Sequence, residues 1–171
     1  DPFALRRAAL GIISILQSGL DISLERAIDD ALSIYQESDL EFDREKTRAE
    51  VLELFITRCR VMLHDQGMPL DAIDAVLAAG VLEPVTIIER VAALQHARSE
   101  SADTFDDLAT AYGRANNLRD ADAGIDFDPT LFSESETKLA DAIAKASTEV
   151  EEYLADGLYE PALDSLASLR T

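Results

Sequence analysis

Cysteine is nearly missing from this chain and tryptophan is missing altogether: Cys59 is the one thiol in 171 residues. A lone cysteine cannot close an intrachain disulfide, so a reducing compartment is the default expectation. Glycine and proline are sparse too, at seven and five residues. Few breaks in a chain whose apolar residues are mainly Ala and Leu is the vocabulary of helices packed on helices. No apolar run approaches the roughly 18 residues needed to span a bilayer, and no signal peptide opens the chain. The expectation is a soluble, cytoplasmic, all-α protein with no membrane partner, large enough for one packed domain or a domain plus a hairpin. Its start at Asp1 rather than Met suggests a piece of a longer protein.

Positive charge is also scarce, with 15 Lys and Arg against 34 Asp and Glu and a net charge of -19. Phosphate binding is driven by cations that release counterions, so this balance argues at first against a nucleic-acid partner. The charge is uneven, however. Residues 1–60 hold 8 basic and 12 acidic side chains, whereas residues 101–171 hold 5 and 16. Of the 15 cations 12 are Arg, the side chain suited to bidentate contact with phosphates and base edges. An acidic body with a local arginine surface fits these counts, the acid serving mainly as a solvated surface.

Apolar residues recur at spacings of three and four, which predicts helices throughout and no strands. The first helix spans about 3–18 on a stripe of Leu5, Ala9, Ile12, Ile13 and Leu16, stopped by Gly19. A second, about 23–36, starts after Asp21, buries Leu24, Ala27, Ile28, Ala31, Leu32 and Tyr35, and pairs antiparallel with the first. A long helix from about Arg44 to Gln66 carries Val51, Leu52, Phe55, Cys59, Met62 and Leu63, and Gly67 with Pro69 ends it. Shorter helices follow over 70–79, 84–99 and 103–118. Residues 119–130 are rich in Asp, with Gly124 and Pro129, and look like a linker. Ser133 and Glu136 then fit a capping box that opens a helix to about Asp156, and a last helix runs past Pro161 to Leu169. The bundle of seven to eight helices divides into 1–120, an acidic linker over 121–132, and a C-terminal hairpin over 133–171 packed on the bundle.

Constellations for bond chemistry are absent. His64-Asp65 is the kind of pair that supplies two metal ligands, but such a site needs further donors on the same ion, and the other histidine, His96, lies downstream. No metal site follows. Cys59 lies on an apolar stripe, where a thiol is a small hydrophobe and not a nucleophile. Acidic pairs such as Asp29-Asp30 and Glu151-Glu152 are neighbours on helices and do not converge. No phosphate-binding glycine loop or nucleophile turn is present, so no catalytic residue is expected. The arginines are more pointed. Arg98 shares a helix side with Ile87, Val91 and Leu94, with Arg90 on its flank, and a charge on an apolar stripe must snorkel, pair or meet a ligand. Arg114 stands with Asn116 and Asn117, a guanidinium beside two amides able to bond base edges.

The opening string Asp1-Pro2-Phe3-Ala4-Leu5-Arg6-Arg7-Ala8-Ala9 resembles the start of the C-terminal helical region of the bacterial glycyl-tRNA synthetase β subunit. Four later segments are similar to the same region, in the same order: Arg58 to Gly67, Asp71 to Ala78, Arg90 to Arg98, and Ala111 to Leu118. A fifth, Tyr159 to Leu169, resembles its closing helix. The resemblance implies an all-α fold like the anticodon-binding domain of arginyl-tRNA synthetase. It implies a β subunit that works with an α subunit, in an α2β2 tetramer, to join glycine to tRNA(Gly). It also implies that this segment needs no cofactor, because ATP and glycine are used by the α subunit. The residues expected to bind RNA are Arg58, Arg60, Arg90, Arg98, Arg114 and Asn117. A helical docking module for subunit or domain assembly, with no direct RNA contact, is the alternative. Gly113 stands where the family usually has Lys.

Overall fold

The computed structural model describes residues 2–100, 102–120, 122 and 128–169. Among them lie eight α-helices and no strand: α1 Pro2–Leu16, α2 Leu24–Gln36, α3 Arg44–Asp65, α4 Leu70–Ala78, α5 Pro84–Glu100, α6 Ala102–Leu118, α7 Glu134–Ala155 and α8 Tyr159–Ala167. A short 3-10 turn covers Pro129–Leu131. The chain divides into two compact units, the first through Gln95 and the second from His96, so that α5 begins in one and ends in the other. Of the stretch anticipated as a linker, residues 121 and 123–127 lie outside the described residues.

In the first unit α3 is the spine. Its apolar positions Leu52, Phe55, Cys59 and Leu63 recur at three and four residues and are all buried, the signature of one helix face turned to a core. The first three meet Ala9, Ile13 and Leu16 of α1 and Leu24, Ile28 and Leu32 of α2. Leu63 joins a second cluster with Ile73 and Val76 of α4 and Ile87 and Val91 of α5. The expected α1–α2 pair is corrected by this arrangement, because both helices pack chiefly on α3. At about 1.5 Å per residue, the 22-residue α3 is long enough to take both. The stripes are correspondingly narrower than expected. Leu5 and Ile12 are 61% and 40% exposed, and Ala27, Ala31 and Tyr35 face outward.

Helix ends follow their local chemistry. Gly67, at φ +90°, closes α3 in a conformation that side chains with a Cβ rarely adopt. There Met68 N donates to Leu63 O at 3.0 Å and Gly67 N to His64 O at 2.9 Å, the paired bonds of a Schellman end. The expected capping box opens α7: Ser133 N donates to Glu136 Oε2 at 2.7 Å and Glu136 N to Ser133 Oγ at 3.4 Å. The start of α2, expected after Asp21, falls at Leu24. Ser23 is the cap, and its Oγ accepts from Arg26 N at 3.2 Å.

A carboxylate from far along the chain completes that cap. Glu83 Oε1 accepts from Ser23 Oγ at 2.6 Å, and Oε2 accepts from Leu24 N at 2.9 Å. An anion at a helix N-terminus meets unsatisfied amides and the positive end of the helix dipole. Glu83→Ala is therefore expected to destabilise the first unit by about 1–2 kcal/mol, read as a lower urea midpoint, with Glu83→Gln in between. A variant as stable as the parent would show the contact to be idle.

The second unit contains the α7–α8 hairpin and α6, which packs on α8. Ala146, Ala162 and Ser165 are buried in it, and Ser165 Oγ donates to Glu149 Oε2 at 2.7 Å. That bond holds the Glu149 carboxyl below its ordinary range. At about 1.5 Å per residue, the 22-residue α7 far outruns the nine-residue α8, and Leu139 and Ile143 on its first half are exposed.

Candidate functional site

Arginines on α3 divide between structural work and open surface. Arg60 reaches α4: its Nε donates to Asp74 Oδ1 at 2.8 Å and its Nη2 to Asp74 Oδ2 at 3.0 Å. This fork-to-fork geometry is the strong form of the pair. It raises the guanidinium and holds the Asp74 carboxyl below its ordinary range. Because Asp74 binds its proton less readily folded than unfolded, the clasp stabilises above the usual carboxylate range. It is lost as pH falls through the depressed value. A double-mutant cycle of Arg60→Ala with Asp74→Ala is expected to show favourable coupling at about pH 7 and none near pH 2. Coupling that is equal at both would contradict the ionic assignment.

Arg58 lies two positions away, about 200° around the same helix, so the two arginines do not share a face. Arg58 is half-buried, and its Nε has no hydrogen-bond partner. Arg90 and Arg98 on α5 are also half-buried, the first in the first unit and the second beyond the boundary. Arg114 and Asn117 are exposed on α6, three positions apart and hence neighbours on one face. The six residues thus fall into two groups of three: Arg58, Arg60 and Arg90 in the first unit, and Arg98, Arg114 and Asn117 in the second.

Two further features are visible in the spacing and composition of the chain. Glu25 and Asp29 of α2 stand four apart, as do Arg44 and Arg48 of α3, and these matched stripes interlock. Arg48 Nη2 meets Glu25 Oε2 at 2.8 Å and its Nε meets Asp29 Oδ1 at 2.9 Å, while Arg44 Nη1 donates to Gln36 Oε1 at 2.9 Å. These cations are structural. The second feature is the end of α6, where residues 114–120 are all exposed and Tyr112 is 70% exposed. Residues 108–119 hold two arginines and no acid.

Elsewhere the chemistry is quiet. Burial pushes the Cys59 thiol up to about 11, far from a nucleophile at neutral pH. His64 and Asp65 are both exposed, and among the described residues no three His, Cys, Asp or Glu side chains gather where a metal ion could be held. No described helix is long and apolar enough to cross a membrane. An apolar cleft of about 380 Å³ opens between α2 and the start of α3, lined by Ile28, Leu32, Tyr35, Leu40, Phe42 and Val51.

Eight α-helices among the described residues, the first five around two apolar clusters, with exposed guanidinium and amide groups at the end of α6, define an all-α protein. A family model described as the glycyl-tRNA synthetase beta subunit matches residues 1–78. The chain is 37% identical over 172 residues to the glycine–tRNA ligase beta subunit of Syntrophus aciditrophicus, covering 99% of this chain and 24% of the relative. It is 38% identical over 172 residues to that of Geobacter metallireducens, with the same coverage. It is 36% identical over 174 residues to that of Haemophilus influenzae, covering 99% and 25%. Along 99% of its length the chain is thus similar to glycyl-tRNA synthetase beta subunits, and it spans about a quarter of the length of these relatives.

Proposed function

We propose that this chain is the C-terminal, anticodon-arm-binding region of the beta subunit of a tetrameric glycyl-tRNA synthetase. It supports the ATP-dependent attachment of glycine to tRNA(Gly) by holding the tRNA, while the alpha subunit supplies the catalytic site. The similarity along 99% of the chain to glycine–tRNA ligase beta subunits carries this reading. The exposed pair Arg114 and Asn117 on α6 supports its finer part, since unpaired loop bases are where proteins read RNA sequence. Arg58, Arg90 and Arg98 supply further cations, and Arg60 contributes by fixing α4 against α3. No cofactor is needed by this region itself, and its place of work is the cytoplasm.

A titration of this chain with a fluorescently labelled tRNA(Gly) anticodon stem-loop at several salt concentrations tests the reading. Binding that weakens linearly in log salt, with a slope near two to four phosphates, is expected from the few cations available. The exposed apolar residues Leu139 and Ile143 on the overhanging half of α7 favour a second reading, in which the chain docks protein partners without touching RNA. Absence of RNA binding even at low salt, with retained association to the alpha subunit, would decide for it.

A further inference from the structure

We infer that the exposed C-terminal end of α6 is a stacking platform for an unpaired nucleobase, with Tyr112 as the ring on which the base lies. This deepens the RNA-binding reading above and rests on it. α8 is only nine residues long against the 17 of α6, and burial along α6 stops at Gly113. Beyond that point residues 114–120 are all exposed. Tyr112 is 70% and Leu118 85% exposed, so the Tyr112 ring is open to stacking.

The helical register sorts the exposed residues into two faces. Tyr112, Asn116 and Arg119 are spaced by four and three, so they form one line along the helix. Arg119 follows α6 directly, and its amide donates to Asn116 O at 3.3 Å, which continues the turn. Arg114 and Leu118 lie on the other flank. The first line offers an aromatic plane, an amide with both donor and acceptor, and a cation. Those groups match the face, the edge and the phosphate of one nucleotide. The carbonyl end of a helix disfavours phosphate by itself, so Arg119 must supply the anion contact and stacking on Tyr112 dominates. Residues 108–119 carry two arginines and no carboxylate, between Asp107 and Asp120.

The test uses this chain and two RNAs, a tRNA(Gly) anticodon stem-loop and the same stem closed as a continuous duplex. Tyr112→Ala should bind the stem-loop roughly ten- to a hundredfold more weakly, while Tyr112→Phe keeps most of the affinity. With no tryptophan present, tyrosine emission is directly visible. Stem-loop RNA should quench it in the parent, and the quenching should shrink in Tyr112→Phe although binding persists. Arg119→Ala should reduce the salt slope by about one phosphate. Stem-loop binding by Tyr112→Ala equal to that of the parent would overturn the platform while leaving the RNA-binding reading intact. So would equal binding of loop and duplex. A parent chain that binds neither RNA would overturn both, and loss of alpha-subunit association in place of RNA affinity would assign the surface to protein docking.

Discussion

Phe55→Ala will cost the first unit about 3–5 kcal/mol, a large part of the 5–15 kcal/mol typical of a whole domain. Phe55 is buried at the middle of the α3 stripe, among Ile13 and Leu16 of α1 and Ile28 and Leu32 of α2. Truncation removes the ring that three helices share and leaves a void that none of them can close alone. Leu5→Ala and Ile12→Ala, by contrast, should each change stability by less than about 1 kcal/mol in this chain, because both side chains are substantially exposed. Urea unfolding followed by circular dichroism checks the contrast. Equal losses at Phe55 and Ile12 would show that the α1 stripe is wider than described.

The second large effect concerns tRNA. Replacing both Arg114 and Asn117 by Ala in the assembled alpha and beta subunits should lower kcat/KM for tRNA(Gly) by about 10- to 100-fold. The loss should fall mainly in KM, since neither residue is proposed to act at the reacting atoms. Both side chains are exposed, so the substitutions leave the packing of α6 on α8 untouched. A wild-type kcat/KM for tRNA with the double variant would remove this helix end from the RNA surface.

Helix positions were largely legible in the sequence, because their ends are local events. Gly67 and Gly157 sit at positive φ just past α3 and α7, and the Ser133–Glu136 box opens α7. Partners were less legible. An apolar spacing of three and four states which side of a helix is apolar, but how much of that side is covered depends on the helix opposite. Leu5 and Ile12 fit the α1 stripe by spacing, yet α3 covers only Ala9, Ile13 and Leu16. The partner of the α2 cap was hidden for a related reason: Glu83, some sixty residues further on, secures Ser23.

The candidate site divides the same way. Arg114 and Asn117 could be paired from their spacing alone, since three residues on a helix share a face. Arg60 could not be assigned, because its partner Asp74 comes from α4 after the turn at Gly67. Sequence alone shows a cation on a helix face, and only the turn decides whether a carboxylate meets it. Tyr112 gave no periodic signal of its own. Its exposure depends on which side of α6 is covered, since Ala111 and Gly113 on either side of it are half-buried, and no local pattern encodes that.

Scarce positive charge sets the scale of any RNA affinity. With 34 acidic against 15 basic side chains, long-range attraction to phosphate is weak, and the proposed binding rests on short-range stacking and hydrogen bonds at the α6 end. Such contacts survive moderate salt better than a polybasic surface does. Amide hydrogen exchange of the chain with and without the tRNA(Gly) anticodon stem-loop locates them most directly. The account predicts slowed exchange concentrated in residues 109–119, with little change along α7. Protection confined to α1 or α7, or absent everywhere under conditions where the RNA is bound, would contradict it.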